Sequence, residues 1–388
     1  MTLELLARPL YPLLGVWSVV TIQATVLSYL ISLISIQYLT RIKAFEWAIL
    51  IIVSQLPFYV AFVMADIWLV ILALAFLSLI KQFRWPPFFI LAFAITAHGS
   101  HFYIFIVSAV VALAMFSDRG HIIKFSLAAA LLASIFTGFA NGLLNHDKDN
   151  ELSWTLVGSK ILVQIPGAID QKCIEDADFL MCPYRENIQA GATSWCEDLP
   201  DCYVWKKQSF FHDTDRSELK AASRELFIYT LLNMPGAFIK ATLADLLRFQ
   251  RFQCSGDLGP LALAEPGIES ALTGAPLHPD GVMISNPAYE RSLQGANVWI
   301  SPQVCGTLVS LKILTYIIGA IGLALLFFFG SRTATKTALF CVVVLLINDL
   351  IFAALSGSYL RYHDRGLFLL MFPAILAINE FQARRERL

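Results

Sequence analysis

Residues 307–330, TLVSLKILTYIIGAIGLALLFFFG, decide the fold. The stretch holds one charge, Lys312, and as a helix it would rise ~36 Å, enough to cross a hydrocarbon core about 30 Å thick. It is apolar on every side, which suits lipid or a fully buried position and no aqueous surface. Eight further segments read the same way, at 13–38, 45–63, 66–80, 87–99, 101–117, 121–143, 337–357 and 366–381. The expectation is an all-α polytopic membrane protein of about nine transmembrane helices with a disulfide-bearing external insert. It divides into an N-terminal bundle of about six spans (1–143), an external loop-and-helix domain (144–306) and a C-terminal bundle of about three spans (307–388). The segments at 66–80, 87–99 and 101–117 are short for a bilayer, which predicts tilt or shelter by neighbours and a cavity close by.

Composition agrees. Of 388 residues, 57% are apolar and only 15% charged, with a mean hydropathy of +0.66, whereas soluble domains are nearer half apolar and a quarter charged. A cytosolic enzyme, a secreted disulfide miniprotein, a coiled coil and a disordered tail are excluded. The net charge of −1 argues against a nucleic-acid partner.

Lys and Arg in the short loops set the orientation. Arg41 and Lys43, Lys81 and Arg84, Arg119 and Lys124, Arg332 and Lys336, and the tail Arg384, Arg385 and Arg387 share one side if the nine spans alternate. That side is expected to be the cytoplasm, with the C-terminus in it. The other side, the periplasm of a bacterial inner membrane, receives Asp66, the turn His98–His101, the stretch 361–365 and the insert. The insert carries 21 acidic and 13 basic residues, a net −8. Alternation also places Met1 outside, although MTLELLARPLYP contains no signal peptide. Either one span is miscounted or an upstream span precedes Met1.

Six of seven cysteines, Cys173, Cys182, Cys196, Cys202, Cys254 and Cys305, fall in the insert, where an even number suggests disulfides. Fifteen connectivities are possible. Proximity favours Cys173 with Cys182, Cys196 with Cys202, and Cys254 with Cys305. The insert's clearest regular element follows Ser217, read as its cap: ELKAASRELFIYTLLNM, then, after Pro235-Gly236, AFIKATLADLLRFQRF. Two such amphipathic helices, basic at Arg248 and Arg251, either lie along the outer membrane surface or pack together as the insert's own core.

Several polar residues stand out at the outer face. Asp66, in FVMADIW, is either the cap of the next span or a general base or metal ligand facing a cavity. His98 and His101 would share one face of a continuous helix and hold a metal or phosphate, but Gly99 argues for a turn and a pair satisfied by its own hydrogen bonds. Arg361, Tyr362, His363, Asp364 and Arg365 form the densest polar cluster beside any span. Guanidinium matches phosphate oxygens in a fork, so Arg361 and Arg365 suit a lipid phosphate; ordinary snorkelling at the headgroups is the alternative. Asp349 lies inside a span, as a functional carboxylate or as a structural partner of Asn348 or Lys312. The chain has no P-loop, GxGxxG, HExxH or GxSxG.

In the order of its parts the chain resembles the GT-C superfamily of multi-spanning glycosyltransferases. The parts are the apolar segment with Pro57 leading to Asp66, the short span ending at His98-Gly-Ser-His101, the long external insert, and Arg361–Arg365 before the last span. The resemblance implies transfer of a sugar from a polyprenyl-phosphate donor to an envelope acceptor at the outer face, with membrane lipid and lipid-linked sugar as partners. It implies Asp66 as base, Arg361 and Arg365 as phosphate clamp, and His98, His101 and Asp364 as further substrate-binding residues, with a divalent metal as candidate cofactor. In that superfamily the key acid lies in a first external loop after an N-terminal span, and this sequence begins beyond that point. The alternatives are a transporter or lipid flippase, and a non-enzymatic envelope scaffold.

Overall fold

The computed structural model describes residues 8–14, 17–39, 41–60, 67–144, 152–193, 203, 209–212, 214–251, 302–355 and 363–386. Among them all regular structure is helical. The helices are α1 Trp17–Tyr38, α2 Ala44–Val53, α3 Leu56–Val60, α4 Trp68–Lys81, α5 Trp85–Ala97, α6 Gly99–Met115, α7 Arg119–Leu144, α8 Leu152–Gln164, α9 Gly167–Glu175, α10 Arg185–Thr193, α11 Arg216–Asn233, α12 Pro235–Phe249, α13 Pro302–Phe329, α14 Arg332–Leu355 and α15 Leu367–Arg385. Five of these, α1, α7, α13, α14 and α15, are long and apolar enough to cross a membrane. A sixth span results if α11 and α12, bent by 106° at Met234, count as one. Four more, α2, α4, α5 and α6, are apolar but shorter, so the protein is an integral membrane protein whose helices follow the hydrophobic segments closely.

The chain forms two units, one of residues 1–144, 252–348 and 360–388, the other of 145–251 and 349–359. In the first, α4 is the hub. Every residue from Trp68 to Leu79 is buried, as an all-round apolar helix requires. Protein shelters this 14-residue helix, so its length need not match the bilayer. Phe76 packs its ring on Phe105, Phe125 and Phe340 from three other helices. Lipid-facing stripes run down the outer helices at every fourth residue: Ile123, Leu127, Leu131, Ile135 and Phe139 on α7, and Ile313, Ile317, Ile321 and Leu325 on α13, all exposed.

Helices α13 and α15 make the most extensive pairing of the unit. Gly319 and Gly322 permit it, because a Cβ at either would overlap Leu370 or Ala374 of α15. Without a hydrophobic driving force between spans, such close backbone approach is what holds them together. The segment read as one span at 45–63 is instead broken into α2 and α3. Gln55 sits at the break with φ of 60°, a conformation costly to a residue with a Cβ, and its side-chain amide donates to the Leu308 carbonyl (3.0 Å).

The basic loops converge on one end of this unit. The Tyr38 hydroxyl donates to Leu77 O (2.9 Å), His121 Nε2 to Leu79 O (2.7 Å), Lys336 Nζ to Met115 O and Asn379 Nδ2 to Tyr38 O (3.2 Å). Arg41 pairs with Glu386 (2.6 Å), and Gln382 donates to Glu46 (2.7 Å). Thus α1, α4, α6, α13 and α15 end there while α2, α7 and α14 begin there, the alternation that the loop charges require.

The second unit is built on α8 and α11, around Ile161, Leu162, Ile169, Met181, Ile188, Tyr203 and Leu226. Cys173 and Cys182 form a disulfide, as their proximity suggests. Cys305 is disulfide-bonded as well; Cys196, Cys202 and Cys254 lie outside the described residues. Lys172, beside the bridge, pairs with Asp176 (2.9 Å) and Glu225 (2.7 Å), and its hydrogen bond to Glu225 holds the ammonium above the usual lysine range. The cap of α11 is Asp215 rather than Ser217: its carboxylate accepts from the backbone N–H of Ser217 (2.9 Å) and Glu218 (3.2 Å). Ser217 lies two residues in, its hydroxyl donating to Asp215 (2.6 Å).

Candidate functional site

A polar cluster is buried in the first unit where α3, α13 and the entry to α15 meet. Lys312 and Tyr316 stand one turn apart on α13 and so share a face. Lys312 Nζ lies 2.7 Å from Asp364 Oδ1, both side chains almost wholly buried. Tyr59 of α3 hydrogen-bonds the same carboxylate and lies within electrostatic reach of Arg365. The Tyr316 hydroxyl and His363 Nε2 are 2.6 Å apart, with the two rings stacked 5.9 Å between centroids. Arg365 is 2% exposed. It is therefore inside the bundle, which corrects the snorkelling alternative for this residue: its guanidinium does not reach out to the headgroups.

Local chemistry explains the placement. Gly366 N–H donates to His363 O (2.8 Å) and Leu369 N–H to Gly366 O (2.8 Å), closing a tight turn that feeds α15. A Cβ at Gly366 would strike the Leu345 side chain, so the turn packs flush against α14. The glycine contact of α13 with α15 lies two turns below and sets the separation at which Lys312 and Tyr316 meet His363 and Asp364. Buried charges within a bundle are costly unless paired and usually mark function.

The histidine pair stands at a change of direction. His98 has extended backbone, closes α5 and caps α6, its Nδ1 accepting from Ser100 N–H (3.2 Å) and lying 2.8 Å from Ser100 Oγ. His101 is buried, with Nδ1 2.9 Å from Ala94 O; a carbonyl only accepts, so Nδ1 carries the proton. The turn is thus the arrangement present, with ring centroids 5.5 Å apart. No group of three or more His, Cys, Asp or Glu that could hold a metal occurs among the described residues. Asp66 and Arg361 lie outside the described residues.

Lys312, offered by the sequence as a partner for Asp349, pairs with Asp364. Asp349 is wholly buried in α14. In the second unit a separate buried pair joins Lys160 of α8 to Asp245 of α12. Gln164 donates to the same carboxylate (2.8 Å), and Lys160 also donates to the Ala353 carbonyl.

Sequence reasoning reached His363, Asp364 and Arg365 but missed Lys312, Tyr316 and Tyr59 as their company. One signal was available: Lys312 is the sole charge in its span, and Tyr316 follows it by one helical turn. Comparison with family models, curated proteins and solved structures finds no match.

Proposed function

We propose that this protein is a membrane glycosyltransferase of the GT-C kind, moving a sugar from a polyprenyl-phosphate donor to an envelope acceptor at the outer face of a bacterial inner membrane. In this reading the five long and four short apolar helices make nine spans, the end that gathers the basic loops and the C-terminus is cytoplasmic, and the 144–306 insert is periplasmic. The observation that carries it is the buried set of Lys312, Asp364, Arg365, Tyr59, Tyr316 and His363, placed toward the end of its bundle away from the basic loops.

The chemistry needs little more. A carboxylate, with Asp66 the candidate, takes the proton of the acceptor hydroxyl as that oxygen attacks the anomeric carbon. The bond from that carbon to the phosphate oxygen breaks, and polyprenyl phosphate leaves with the electron pair. Arg361 and Arg365, joined by Lys312, stabilise the charge that develops on the phosphate, while Asp364 fixes the Lys312 ammonium. His98 and His101 stiffen the turn between α5 and α6.

The test is mass spectrometry of envelope glycans and lipid-linked sugars from a strain lacking the gene, complemented with the parent or with Arg365→Ala. Loss of one sugar, restored by the parent alone, supports transfer; an unchanged profile in the deletion removes the proposal. A transporter reading draws on the bent α11–α12 pair and the Lys160–Asp245 pair, since broken helices and buried charges mark transport pathways. It predicts that Asp245→Asn abolishes uptake or efflux of a solute while the glycan profile stays intact.

A further inference from the structure

Helix α12 has its polarity inside out. Its inward residues are Thr242, Asp245 and Phe249, with Asp245 1% exposed against Lys160, whereas Ile239, Leu243 and Leu247, at every fourth position, are 57%, 51% and 70% exposed. An external domain surrounded by water would turn that stripe inward. Helix α11 changes character along its length in the same sense. Its first half exposes Ser217, Glu218, Arg224 and Glu225; its last turn exposes Ile228, Leu231 and Leu232. The apolar surface therefore brackets the 106° bend, and α11 with α12 is long and apolar enough for a span only when the two are joined across it.

We propose that this elbow, residues 228–247, is immersed in the lipid bilayer as a re-entrant segment, with acyl chains against Leu232, Ile239, Leu243 and Leu247. Two observations select lipid over a protein partner. The unit that carries the elbow also contains the last turns of a candidate membrane span: residues 349–359 of the chain belong to it, Leu355 packs on its core, and Lys160 binds the Ala353 carbonyl of α14. The elbow thus belongs to the unit that holds the last turns of α14. Charge agrees as well, because Lys240 and Arg251 are exposed while the one acid of α12, Asp245, is buried, which suits anionic headgroups bordering an apolar face. The Lys160–Asp245 pair, with Gln164, then has a physical reason. It satisfies the carboxylate inside the unit so that the outer face of α12 can be wholly apolar. The proposal is independent of the catalytic reading: a glycosyltransferase, a transporter and a scaffold would all accept it.

Nitroxide labels test it on the full-length protein in phosphatidylethanolamine and phosphatidylglycerol nanodiscs. Leu232→Cys, Leu243→Cys and Leu247→Cys are compared with Ser217→Cys and Arg224→Cys, with the unsubstituted parent reporting any background from the buried Cys341. Power saturation should show the first three collided by oxygen and shielded from a water-soluble nickel chelate by at least tenfold relative to the last two. Equal nickel access at Leu243→Cys and Ser217→Cys overturns the proposal. So does a label screened from both reagents, the mark of a protein partner or a second copy. Ala244→Cys, at an exposed small residue of the same face, gives the same reading should a leucine replacement unfold the unit.

Discussion

Lys312→Met tests the buried cluster most sharply, because it strands the Asp364 carboxylate among apolar helices. Both side chains of the pair are almost fully buried at 2.7 Å, so this is the situation in which removing one partner costs about 3–5 kcal/mol. At about 2–4 °C per kcal/mol the midpoint of thermal unfolding falls by roughly 6–20 °C. Cys341 supplies the assay: it is free and wholly buried, so a thiol-reactive dye reports its exposure on heating in detergent. The double variant Lys312→Met with Asp364→Leu replaces the pair by apolar groups and should recover most of the loss, less the ~1 kcal/mol that Tyr59 forfeits with its acceptor. Sugar transfer should stay lost in both, by at least about a hundredfold, as expected when groups that stabilise charge are removed. A single variant that melts within about 2 °C of the parent, or a double variant no better than the single, would refute the account of the pair.

Three further outcomes follow from the fold. Gly319→Val drives a side chain into the Leu370 backbone and should cost about 1–3 kcal/mol while also weakening transfer, since it moves α13 and its Lys312 away from Asp364; the same dye melt and the glycan profile report both. Cys173→Ser opens a loop closed over nine positions and should lower stability by about 2.5 kcal/mol, seen as faster protease nicking of the second unit with the spans intact. The hydroxyl of Ser217, with the backbone of Glu218 and Ser217, holds the Asp215 carboxyl below its usual range. Its contribution is therefore complete above the ordinary carboxylate value and disappears as pH falls through the depressed one, so the difference in melting between parent and Asp215→Ala should be flat from neutral pH down to the ordinary carboxylate range and close as pH falls below it.

Much of this was legible because membrane spans announce themselves in sequence. The hydrophobic segments became helices within a few residues, the loop charges marked the end at which those helices meet, and Cys173 found Cys182 nine positions away. What escaped was non-local or a contest between near-equal local rules. Tyr59 joins Asp364 across some three hundred residues, and Lys160 joins Asp245 across 85, distances over which periodicity says nothing. The break at Gln55 carried no glycine to announce it, because the strain is met by tertiary bonds such as that to Leu308. Ser217 and Asp215 both suit a helix cap, and the residue two places upstream prevailed by reaching two backbone N–H groups. The apolar outer face of α12 follows the helical period faithfully; which side of it faces the core was not in the period.

In the proposed reading the Lys312–Asp364–Arg365 cluster handles a polyprenyl-phosphate sugar. Native mass spectrometry of the parent released from its own membranes tests this most directly, with the stabilised Lys312→Met and Asp364→Leu double variant as control. The account predicts a bound lipid with the mass of polyprenyl phosphate or its glycosylated form on the parent, absent from the folded double variant. A parent that carries no such lipid, even after addition of polyprenyl-phosphate sugar, or a double variant that carries as much, would contradict it.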